Sequence, residues 1–169
     1  MNPDSPWLRG AVIIASVFAI YEGLFHGLRI DGVRPDFMLG LAIVAAVIAG
    51  PGPGAVAGFA GGVLVDLFVN TPFGLTGLVA CVVAYAVGSI VQTLGPGPRW
   101  SIPLLVAAAS AVAVVTWAVL GTVLGLPGLL RPHLVIVVAV IATVNAALAL
   151  PLATVVHWTF RGTNQRMAA

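Results

Sequence analysis

The chain is predicted to be an all-α polytopic membrane protein, and three observations predict it. Its 169 residues are 60% hydrophobic and only 7% charged, against about 25% charged in an ordinary soluble domain. Mean hydropathy is +1.13, more apolar surface than a water-soluble fold can cover. The apolar residues also fall into six segments, parted by breaks rich in proline, glycine and arginine. At about 20 residues per crossing, the length accommodates six short-looped transmembrane helices. They form a single membrane domain, residues 1–169, with no soluble domain beside them.

The first segment, residues 10–28, follows Trp7 and Arg9, which suit an interfacial anchor. The opening MNPDSPWLRG and the run after it resemble a signal peptide. That run passes Glu22 and reaches Leu28 without a small-x-small cleavage site, so it is expected to remain as the first span. Glu22 and His26 are four apart and share a helix face. The connection RIDGVRPD, residues 29–36, is the most charged stretch. Within it Pro35 suits the first turn of a new helix, and Asp36 complements that helix's positive end.

The second segment, residues 37–49, would be only about 20 Å long. Pro51-Gly52-Pro53-Gly54 is expected to break the chain, and the third segment, residues 55–69, is short as well. The two are either thin tilted spans or a re-entrant pair, since non-helical backbone at membrane depth needs protein or water around it. Asn70-Thr71-Pro72-Phe73-Gly74 reads as a turn. The fourth segment, residues 75–94, carries Tyr85, Gly88, Ser89 and Gln92. The fifth, 102–124, has Pro103 in its first turn and Gly121 and Gly125 on one face. The sixth, 133–160, is longer than a bilayer requires. Asn145 sits midway along it and is expected to hydrogen-bond a neighbouring helix, while Pro151 predicts a kink. Residues 161–169 read as a short mobile tail.

One line of residues stands out within this plan. Gly50, Gly54, Gly58, Gly62 and Asp66 follow at intervals of four, so on a helix they lie nearly above one another. In water each glycine would cost about 1 kcal/mol of helix stability against alanine. In a bilayer the same stripe admits a second helix to close range. Gly54, Gly58, Gly62 and Asp66 are therefore predicted to bind a partner helix. A charge at the bilayer centre costs roughly 2.5–3.5 kcal/mol on insertion scales. Asp66 is accordingly read either as a polar pin or pocket group, or as a residue near the interface capped by Asn70 and Thr71.

An even number of crossings places both termini on one side with Arg99. That side holds Arg9, Arg99, Arg161 and Arg166, against Arg29, Arg34 and Arg131 opposite, which favours cytoplasmic termini. Trp7, Trp100 and Trp158 fall on the same side. The seven basic residues are all arginine and never cluster, so no nucleic-acid partner is expected. Cys81 is the single cysteine and reads as a small core hydrophobe.

No enzyme is expected, and no cofactor or metal. The chain has no Gly-x-Ser-x-Gly, no phosphate loop and no usable Ser-His-Asp set. His26, His133 and His157 lack metal-ligand spacing. Asp66 has no second buried aspartate with which to form a protease pair.

Residues 34–88 resemble the rod shape-determining protein MreD family. The likeness rests on Pro35-Asp36, Gly58-Phe59, Gly61-Gly62-Val63-Leu64-Val65-Asp66, Pro72-Phe73-Gly74-Leu75-Thr76, and Tyr85 in the next helix. The family pattern is Pro-Asp opening the second helix, a glycine-rich helix ending in Gly-Leu-x-x-Asp, and a Pro-x-Gly turn. Here Gly-Val-Leu-Val-Asp keeps Gly62 and Asp66 at that spacing. The resemblance implies a multi-pass protein of the bacterial inner membrane, non-catalytic, in the cell-elongation machinery that builds the lateral wall. It implies six helices similar to the substrate-binding subunits of energy-coupling vitamin transporters. The partners it implies are an MreC-like membrane-anchored protein, with RodA and a penicillin-binding protein nearby. Few charges and a short tail leave binding to run mainly through helices in the bilayer. The alternative is a transporter subunit that binds a small molecule or lipid carrier, with Asp66, Glu22 or Tyr85 lining a cavity.

Overall fold

A computed structural model describes Ser16 and residues 36–68, 73–95, 97–126 and 132–164, with side chains of the last stretch up to His157. Five helices run through these residues: α1 (Phe37–Ala49), α2 (Pro51–Asp66), α3 (Leu75–Leu94), α4 (Ser101–Val123) and α5 (His133–Asn164). Among them α3, α4 and α5 are long and apolar enough to cross a membrane, as a helical membrane protein requires. The predicted first segment lies outside the described residues. α1 and α2 have 13 and 16 residues, about 20 and 24 Å at 1.5 Å per residue, short of the roughly 30 Å of a hydrocarbon core.

α1 is the centre of the bundle. Its sequence is apolar on every side, which suits a helix without a solvent face. Phe37 to Ala46 are buried without interruption, and α1 meets all four other helices. Lipid tails are as apolar as leucine, so close contact of small residues carries the packing instead. Ala42, Ala46 and Ala84 are all within 1% of complete burial.

The Pro51-Gly52-Pro53-Gly54 run does not break the chain as predicted. The bend is confined to Gly50, at φ 97° and ψ 178°, and α2 starts at Pro51, four residues before the expected Ala55. Both prolines occupy its first turn, where backbone donors lack helical acceptors in any case. The first rung is Gly54 N–H to the Gly50 carbonyl, at 3.2 Å. At its other end α2 stops at Asp66, short of the predicted 69. α3 begins and ends where expected, whereas α4 starts and stops one residue early. α4 closes with Gly125 left-handed at φ 87°, Leu126 N–H on the Gly121 carbonyl at 2.9 Å and Gly125 N–H on that of Thr122 at 3.1 Å. That is the 6→1 and 5→2 pairing of a Schellman end.

α5 passes through Pro151, which removes one rung of the ladder without ending the helix. It continues to Asn164, so residues 161–164 of the predicted tail are helical. Adding a residue to an existing helix gains a bond for each residue fixed, and no second proline intervenes.

The glycine stripe packs against helices of the same chain. A Cβ on Gly58 would lie 2.7 Å from the Ala80 carbonyl oxygen, and one on Gly62 would lie 2.5 Å from Gly77 Cα. The two helix backbones are thus in direct contact. Gly54 faces Ala46 of α1 in the same way. All three glycines and Asp66 are buried.

Gly58→Ala and Gly62→Ala test this contact. Alanine gains about 1 kcal/mol of helix propensity, but overpacking against rigid backbone costs typically 1–3 kcal/mol. Both variants should melt at lower temperature in detergent. Gly52→Ala, where a Cβ meets nothing within 4 Å, should melt no lower than the parent.

Candidate functional site

Asp66 is the last residue of α2 and is 4% exposed. Its Oδ2 accepts three backbone N–H groups at the start of α3: Gly74 at 2.9 Å, Thr76 at 3.1 Å and Gly77 at 3.5 Å. The first N–H groups of any helix lack internal partners. Here the residue in the N-cap position is Gly74, left-handed at φ 88°, with no side chain to supply the acceptor. Asp66 supplies it from the preceding helix, and its acid also sits at the positive end of the α3 dipole. The Gly62–Gly77 contact brings the two helix ends close enough for this.

The same corner is tied to α4. Trp117 Nε1–H donates to Thr76 Oγ1 at 3.2 Å, so Thr76 serves two helices through its N–H and its hydroxyl. Asp36 caps α1 beside it, its Oδ1 accepting Leu39 N–H at 3.1 Å. Burial holds the Asp36 carboxyl above the usual carboxylate range. The hydrogen bonds from Leu39 and Met38 work against that, and the charge of Asp66 adds to it. A second, part-buried aspartate therefore lies near Asp66, where none is expected from the sequence.

A second polar contact lies deeper. Asn145 Nδ2–H donates to Ser110 Oγ at 3.0 Å, joining α5 to α4 as predicted for a mid-span asparagine. Such bonds are worth about 0.6 kcal/mol on average. The side chain is 1% exposed and lies against Gly40 of α1, and its Oδ1 has no partner. Sequence reasoning missed Ser110 and Gly40. Their signal, two small residues that would face a mid-span amide, becomes visible only once the helix register is fixed.

The residues singled out by sequence therefore divide. Gly58, Gly62, Asp66 and Gly74 gather along the α2–α3 seam, Gly54 packs against Ala46 of α1, and Asp36 caps α1. Pro35 and Pro72, with Glu22, lie outside the described residues. Tyr85 is 56% exposed on the outer side of α3. Among the described residues no group of histidine, cysteine and carboxylates is placed to hold a metal ion. No family model, curated protein or solved structure matches the chain.

Two substitutions separate the carboxyl groups. Asp66→Ala leaves buried N–H groups at the head of α3 without an acceptor, a loss of about 1–3 kcal/mol. It should lower the melting temperature more than Asp66→Asn, which retains one acceptor oxygen. Asp36→Asn keeps a competent N-cap and abolishes a partly buried charge. A raised native pKa stabilises the fold below the unfolded value, about 3.9, and that stabilisation is lost as pH climbs through the raised one. Asp36→Asn should therefore melt above the parent at pH 8, and the gap should close as pH falls towards 4.

Proposed function

We propose that the protein is a non-catalytic component of the bacterial cell-elongation complex, a scaffold in the inner membrane that binds an MreC-like membrane-anchored protein. In this reading it crosses the membrane six times with cytoplasmic termini and works near RodA and a penicillin-binding protein. The observation that carries the proposal is the grouping of the motif residues. Gly58, Gly62, Asp66, Gly74 and Thr76, which carry the resemblance to MreD, meet in one backbone-to-backbone seam with one carboxyl cap. A pattern of that kind preserves the rigidity of a helical hairpin, which is what a scaffold requires. The stripe is occupied by α1 and α3, so the partner docks on outward helix faces and the motif acts by holding them in place.

Co-expression with the MreC-like protein of the same genome, followed by affinity purification in mild detergent, tests the reading. The two chains are expected to co-purify, and depletion of this protein should turn rod-shaped cells round. Absence of a complex, together with unchanged cell shape on depletion, would rule the scaffold out.

A further inference from the structure

The bend between α1 and α2 is set below the ends of its neighbours. Gly88 of α3 is where the bend is held, since a Cβ there would lie 2.6 Å from Pro51 Cα and 3.1 Å from the Gly50 carbonyl carbon. α3 then continues to Leu94, about 9 Å further at 1.5 Å per residue. α5 gives a second measure. Asn145 is level with Gly40. From that level α1 rises about 15 Å to Gly50, while α5 rises about 28 Å to Asn164. α4 begins near the level of the bend, so among the described helices only α3 and α5 run on past it, by about 9–13 Å, and would rim a recess of that depth.

The floor of this recess contains backbone that no helix satisfies. In an unbroken helix the Val47 and Ala49 carbonyls would accept from residues 51 and 53, and both are prolines without an N–H. Gly52 N–H lies in the first turn of α2, where no helical acceptor exists. Gly52 is exposed, and none of the described residues comes within 4 Å of the position of its missing Cβ. Hydrocarbon cannot meet these groups, and irregular backbone at membrane depth persists only against protein or water. α3, at 20 residues, matches the hydrocarbon thickness, so its end marks the boundary from which the recess descends.

We infer that the Gly50–Pro53 bend is the floor of a water-filled recess. It opens on the side where α3 ends and α5 runs out, and α1 and α2 form a short hairpin whose tip is hydrated inside the bilayer boundary. The paired prolines fit that place, because each removes a donor that would otherwise need a water molecule of its own.

Thiol labelling in membrane vesicles of known orientation tests the inference. In a Cys81→Ala background, Gly52→Cys is exposed to a membrane-impermeant reagent beside two references. Arg99→Cys reports the aqueous side, and Val82→Cys, exposed on α3, reports lipid. Thiolate is the reacting species and forms poorly in an apolar setting, so Gly52→Cys should label from the Arg99 side within about tenfold of that reference, and Val82→Cys about a hundredfold slower. Pro53→Cys gives the same readout should Gly52→Cys fail to fold. Labelling no faster than Val82→Cys, or from the opposite face only, overturns the inference.

Discussion

A helix end buried in a bundle is cut off from the water that would complete its backbone hydrogen bonds, and the rest of this structure depends on how that shortage is met at the head of α3. Three N–H groups converge on one carboxylate oxygen, and that oxygen comes from the end of α2. The arrangement works only if the two helices touch by their backbones, which requires glycine at 58, 62 and 77. Packing and hydrogen bonding are thus one requirement here. A side chain at position 62 would push the helices apart and draw the acid away from its donors.

Chemistry at the other end of α2 answers the same shortage by subtraction. Proline at 51 and 53 leaves fewer donors to satisfy, and glycine at 50 absorbs the bend in a conformation that other residues resist. Deeper in, the asparagine on α5 is only half satisfied, since its amide nitrogen reaches Ser110 while its oxygen has no partner. A buried unpaired carbonyl costs stability, so Asn145 binds the bundle less tightly than a fully matched group would.

Much of this was legible in the sequence. Hydropathy together with the proline and glycine breaks placed α1 at 37–49 and α3 at 75–94, and the spacing of Gly54, Gly58, Gly62 and Asp66 marked the packing face of α2. What the stripe packs against was not legible, because a glycine face attracts a helix of the same chain as readily as one of another. Only the register of α3, set by Ala80 over Gly58 and Gly77 over Gly62, decides it. The Pro-Gly-Pro-Gly run misled for a different reason: proline stops a helix in its interior but opens one in its first turn, and local sequence does not say which turn is meant. Asp36 behaved as its position after a proline suggested. The reach of Asp66 across to 74–77 could not be anticipated, since the acceptor and its donors belong to different helices.

The separations along the chain carry a consequence for how the molecule is put together. Asp66 is eight residues from Gly74 and eleven from Gly77, and Gly58 lies only about twenty from Ala80. Every contact of that seam is available once α3 has been synthesised. Gly40 meets Asn145 only after more than a hundred intervening residues have been made, so the central helix waits for the last one to enclose it. The first three described helices can therefore join as a subassembly while the ribosome is still at work, and α4 with α5 closes around a template already set.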